Sequence, residues 1–258
     1  MALSERQQRV KERFIAERGF WDEAVWASVL EYDVDLLDAY IDWSSVPWRK
    51  GHLEPKVKEF LYLAMDASTT HLYHAGIRVH MVNAIAHGAT RDEVLELLQI
   101  VAEIGLGTLT ESVPIILDEV ARGGGGPVVT AGEVADDLRE RFVDLRGYWD
   151  ESLQLVAEND PEFLEGFLHF TSVPWRKGSL SPKVKELIYL GISASPTHLN
   201  RQAIRRHVRG ALVHGASTAE LLEVLEVVAM CGIHAITEGV PELKRQFGEG
   251  GGVAAATE

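Results

Sequence analysis

From Glu93 to Gly105 the chain reads EVLELLQIVAEIG, with Val94, Leu95, Leu97, Leu98, Val101 and Ile104 recurring at intervals of three and four residues. That spacing places the apolar side chains along one stripe of an α-helix. The stretch ELLEVLEVVAMCG, from Glu220 to Gly232, repeats the pattern. Each stretch opens with a capping box, Thr90 with Glu93 and Ser217 with Glu220, in which side chains satisfy free N–H groups of the first turn. Gly88 and Gly215 suit the left-handed position that ends the preceding helices. Pro55 and Pro182 suit a first helical position, with Ser181 a good N-cap and Glu54 a poorer one. No segment alternates with the period of two that a hairpin requires. The predicted fold is all-α.

The similarity of the two stretches is part of a tandem duplication. The heptapeptide SVPWRKG occurs at Ser45 to Gly51 and again at Ser172 to Gly178. At the same offset of 127 residues, Glu59 pairs with Glu186 and His80 with His207, and about half the positions from Ser45 to Pro114 are identical. RGFWDE, from Arg18, pairs with RGYWDE, from Arg146, at an offset of 128. The predicted organisation is a first repeat over 1–121, a Gly-rich linker over 122–131, a second repeat over 132–247 and a disordered tail over 248–258.

Composition narrows the partners. A net charge of −14 argues against a nucleic-acid footprint and favours a small molecule or a protein. No apolar run approaches the roughly 18 residues of a membrane helix, and the N-terminus lacks a secretory apolar segment, so no membrane association and a cytoplasmic location are expected. The single cysteine, Cys231, offers neither a disulfide nor a CxxC pair and reads as a small buried apolar residue.

Within each repeat the order PKVKE, then THL, then an IRxH helix, then HGAT or HGAS before a capping box is similar to the carboxymuconolactone decarboxylase family, with its alkylhydroperoxidase D-like fold. The resemblance implies a helical unit that dimerises and builds hexameric rings. A tandem chain would then be a pseudo-dimer, and three chains would close the ring as a homotrimer. Peroxidase relatives carry CxxCxxxH, and here Tyr73 and Gly76, or Asn200 and Ala203, stand at the cysteine positions. A thiol peroxidase reading therefore needs a dithiol that neither repeat has. What the resemblance leaves is a cofactor-free enzyme acting on a small anionic lactone, enol or keto acid by decarboxylation or isomerisation. The alternative is a non-enzymatic oligomeric binding or scaffolding protein of the same fold.

His80 and His207 are the candidate proton carriers, since imidazole titrates near neutral pH. The competing role is a hydrogen-bonded core histidine. Glu59 and Glu186 are carried as their relay partners, although Lys56 could engage Glu59 in a surface pair. In the repeated heptapeptide Arg49 and Arg176, beside Trp48 and Trp175, could grip a planar carboxylate, or the indoles could staple the loop while the arginines form salt bridges. Arg78 and Arg205 join them as candidate holders of negative charge. His87 and His214 read as helix-end caps. His71 and His74 form an HxxH, but His71 lies opposite His80 on a helix, so no metal site is expected.

Overall fold

The structure is a computed structural model that describes residues 3–126 and 132–247. The predicted tail, and residues 127–131 of the predicted linker, lie outside the described residues. In chain order the helices are α1 (Glu5–Arg18), α2 (Glu23–Tyr32), α3 (Val34–Ser44), α4 (Val46–Lys50), α5 (Pro55–Ala67), α6 (His74–Ala86), α7 (Arg91–Val101) and α8 (Leu106–Arg122). They recur as α9 (Gly132–Arg146), α10 (Glu151–Asn159), α11 (Pro161–Thr171), α12 (Val173–Lys177), α13 (Pro182–Ala194), α14 (Arg201–Val213), α15 (Thr218–Val228) and α16 (His234–Phe247). Among the described residues there is no strand. The chain is a tandem all-α duplication.

The local signals act as the sequence indicates. Thr90 and Ser217 close their capping boxes, and Gly88 and Gly215 take φ of 87° and 82°. Ser181 accepts from the Val184 amide, whereas Glu54 makes no capping bond. One expectation needs correcting. The helical run Arg91–Arg122 is, by length and composition, apolar enough to cross a membrane. It is broken by a 3₁₀ turn at Ala102–Gly105, and α7 buries Val94, Leu97, Ile100 and Val101 in the core.

The repeats share their cores. Leu61 and Met65 of α5 pack with Leu187 and Leu190 of α13 and Val224 and Val227 of α15. The close approach of α5 and α13 depends on Gly191, where a Cβ would stand 2.9 Å from Leu61 Cδ2. Each repeat also sends its last helix to the other. Ile233, Ile236 and Val240 of the second repeat pack on the α1–α3 core, while Leu106, Leu109 and Val113 of α8 pack on that of α9–α11. This exchange brings residues of both repeats into each cavity described below.

The repeated heptapeptide forms a latch between repeats. Lys58 Nζ donates to Pro47 O at 2.8 Å and lies 3.0 Å from Glu223 of the opposite repeat, which also accepts from the His52 and Leu53 amides. The mirror latch joins Lys185 to Pro174 O at 2.6 Å and to Glu96 at 2.8 Å, with Glu96 accepting from the Ser179 and Leu180 amides. The two loops still finish differently. Gly51 is left-handed with φ of 67°, whereas Gly178 is extended, and a Cβ there would meet Glu96 Oε1 at 1.8 Å.

Candidate functional site

Two buried Glu–His pairs stand at equivalent places. Glu59 on α5 accepts from His80 Nδ1 on α6 at 2.6 Å, and Glu186 on α13 accepts from His207 Nδ1 on α14 at 2.8 Å. Lys56 turns instead to Glu93, 2.9 Å away. The glutamates are buried because they sit among Phe60, Leu61, Leu187 and Ile188 on helices central to the shared core. Gly210 makes room for Glu186, since a Cβ there would stand 2.5 Å from its carboxyl carbon. A tyrosine one turn after each glutamate lies flat on the imidazole: Tyr62 on His80 at 4.6 Å and 17°, Tyr189 on His207 at 4.7 Å and 10°. Burial holds His207 below the ordinary imidazole value, against the opposing pull of Glu186.

Buried arginines complete each group. Arg18 lies 5.6 Å from the Tyr62 ring centroid, and Arg146 donates to Tyr189 Oη at 3.1 Å and pairs with Glu103 at 2.8 Å. Tyr189 Oη itself donates to Glu103 at 2.6 Å. Burial pushes the Glu103 carboxyl up to about 7 despite the guanidinium beside it. Glu103 comes from the first repeat and His207 from the second.

The cavities beside the two pairs differ. The one lined by His80, Arg18, Tyr62, Tyr73, Met230 and His234 holds about 40 Å³. The one lined by His207, Arg146, Arg206, Tyr148, Asn200 and Gly107 holds about 470 Å³. The cause lies in the exchanged residues: Tyr73 and His234 stack at 4.1 Å and fill the first, and their counterparts are the smaller Asn200 and Gly107. Asn200 Nδ2 would lie 3.1 Å from any Cβ at position 107. A ligand pocket of ordinary size needs roughly 300 Å³ or more. Only the second of these two cavities reaches it.

Several expected binding residues lie elsewhere. Arg49 is exposed and bonds Glu17 at 2.9 Å and Asp42 O at 3.3 Å, and Arg78 is exposed and bonds Asp22 at 2.7 Å. Arg176 and Arg205 are exposed, and none of the four lines either cavity. Arg78 and Arg205 precede the histidines by two residues, about 200° around the helix, so they emerge on the opposite side. Arg49 and Arg176 end short helices whose buried residues are Pro47 and Pro174. Trp48 and Trp175 form a layer behind the sites. Their rings lie 5.5 Å from Arg18 and 5.6 Å from Arg146, and Trp175 Nε1 donates to Tyr189 Oη at 3.3 Å.

Arg18, Arg146, Tyr62, Tyr189 and Glu103 are the site residues that the sequence reading passes over. Arg18 and Arg146 open the repeated RGFWDE and RGYWDE motifs, which is the signal that could have singled them out.

Asp66 is a first-repeat peculiarity. A Cβ at Gly76, the position of a peroxidase cysteine, would lie 2.0 Å from Asp66 Oδ2, so the glycine and the buried carboxylate occupy the space together. In the second repeat the same positions carry Ala203 and Ser193.

A tandem all-α chain with exchanged terminal helices and two buried Glu–His pairs is the class of protein that fold and site define. The family model described as carboxymuconolactone decarboxylase matches residues 35–114 and 161–244, and the chain belongs to that family. It is similar, at 37% identity and a TM-score of 0.88, to a crystal structure at 1.70 Å resolution of a protein described as a gamma-carboxymuconolactone decarboxylase subunit from Burkholderia xenovorans LB400. The similarity covers 92% of this chain and 96% of that one. No curated protein matches.

Proposed function

We propose that the chain is a proton-transfer enzyme of the decarboxylase type, acting on a small anionic lactone, enol or keto acid in the cavity of the second repeat. One observation carries this reading: His207, held at Nδ1 by Glu186, stands in the wall of a cavity of about 470 Å³ that Arg146 and Arg206 also line. With Nδ1 held by Glu186, a neutral His207 has its lone pair at Nε2, and a charged one has a proton there. In decarboxylation the electrons of the breaking C–C bond move onto a carbonyl oxygen, and carbon dioxide leaves. The resulting enolate then takes its proton from Nε2. In isomerisation Nε2 first removes a proton beside the carbonyl and returns it at another carbon. Arg146 stays charged and supplies donors for the developing oxyanion, while the Tyr189 hydroxyl, whose proton goes to Glu103, accepts from the guanidinium and positions it. Glu103, with its raised pKa, gives up part of its claim on Arg146 when protonated, which favours an anionic substrate.

The arginines test the assignment. Arg146→Lys is expected to raise KM by roughly 10- to 100-fold, the worth of a charge-assisted fork lost to a point charge. Arg176→Lys, on an exposed side chain outside the cavity, is expected to keep the parental KM. Steady-state kinetics on a panel of small lactone and keto acids would decide. A parental KM in Arg146→Lys contradicts the proposal.

A further inference from the structure

His71 ends the turn before α6, Cys231 lies in the 3₁₀ turn Ala229–Ile233, and His234 opens α16, so the three come from two repeats. The helix exchange brings them together. His71 Nε2 lies 2.6 Å from His234 Nδ1 and 3.7 Å from Cys231 Sγ, and the three donor atoms are all within 4.8 Å of one another. Asp66 Oδ1 lies 3.7 Å from the His71 nitrogen and 3.6 Å from that of His234. The Asp66 side chain is 0% exposed, and neither of its oxygens has a hydrogen-bond partner. His80 Nε2 stands 3.9 Å from Asp66 Oδ2, beyond hydrogen-bond reach, and a buried carboxylate without a donor is costly and would gain from a closer positive partner. The cluster is reachable from solvent, because His71, Cys231 and His234 line an open cleft of about 550 Å³ with His74 and Glu238.

A single N–H···N bond between the two imidazoles would satisfy those rings. It would leave Asp66 unpartnered and give no reason for a thiol beside them.

We propose that His71, Cys231 and His234, with Asp66 as fourth ligand, bind one divalent transition-metal ion of the Zn²⁺ or Co²⁺ class. Two imidazoles, a thiolate and a carboxylate form a donor set suited to such ions. Tetrahedral bonds of about 2.0–2.1 Å to nitrogen and 2.3 Å to sulfur would put neighbouring donors about 3.3–3.6 Å apart. The 3.7 Å from Cys231 Sγ to His71 and the two carboxylate–nitrogen distances already lie near that range, and the two imidazole nitrogens would separate by about 0.7 Å on binding. Binding displaces the thiol proton to solvent and leaves the thiolate on the metal. The corresponding second-repeat and first-repeat positions are His198, Ile104, Gly107 and Ser193, which cannot form a second such set. One ion per chain follows. The inference is independent of the proposed activity, which concerns the other cavity.

Chelator-treated full-length protein titrated with Co²⁺ tests this by absorption and metal content. The expected result is one Co²⁺ per chain with a thiolate-to-metal charge-transfer band, displaced by Zn²⁺. Cys231→Ser should remove that band. His234→Gln should weaken binding by roughly tenfold or more, since even partners outside the first coordination sphere cost that much. Absence of the band in the parent, or its survival in Cys231→Ser, overturns the site. Melting curves establish that the variants are folded, and if either is not, the parent spectrum alone decides.

Discussion

His207→Gln is expected to lower turnover by roughly 10²–10⁴-fold with little change in melting temperature, because glutamine keeps approximate size and hydrogen bonding but carries no titrating proton. His80→Gln, at a cavity of about 40 Å³, is expected to stay within a few-fold of the parent. The pH profile adds a second signature. Burial lowers the His207 pKa, so the limb of kcat/KM that it sets should lie below the ordinary imidazole value of about 6.5: the acid limb if the reaction is isomerisation, where His207 acts first as a neutral base, and the alkaline limb if it is decarboxylation, where the charged form delivers the proton. That limb should vanish in His207→Gln. Equal losses in the two single variants would mean that both repeats work. Parental turnover in the folded double variant would make both histidines structural and remove the mechanism.

The largest expected effect on stability is at the latch between repeats. Lys58→Met removes a cation whose side chain is 2% exposed and leaves Glu223, at 0%, with a buried charge and only two backbone donors. Breaking such a pair costs about 3–5 kcal/mol. Lys50, by comparison, pairs with Glu226 at the surface with 46% of its side chain exposed, and Lys50→Met should cost at most about 1 kcal/mol. Urea denaturation of both variants measures the contrast. Similar midpoints for the two would show that the latch contributes no more than a surface pair.

The sequence exposes what is local and what is doubled. Capping boxes, N1 prolines and the periodicity of α7 and α15 act within a few residues, so these elements are readable from the chain alone. The Glu–His partnership is 21 residues apart within each repeat, and duplication marks both members. What resists reading is set by the exchange of helices. Periodicity says which face of α16 is apolar, yet nothing local says that it covers α2 of the other repeat, so the meeting of His71 with His234 could not be inferred. The heptapeptide misleads for a related reason. Its identity in both repeats serves carbonyls that hold Lys58 and Lys185 beside glutamates of the opposite repeat, while its arginines face solvent. Arg18 and Arg146 were harder to recognise because their partners Tyr62 and Tyr189 lie more than 40 residues away.

A crystal soaked in a panel of small unsaturated carboxylates and enol mimics tests the central claim most directly, because it asks where an anion of the right size rests. The expected result is density in the second cavity, with a carboxylate or enol oxygen within hydrogen-bond reach of Arg146 and a carbon facing His207 Nε2. The cavity beside His80 should stay free of the compound. Binding beside His80 alone, or at neither histidine at concentrations that saturate turnover, would contradict the assignment of the working site to the second repeat.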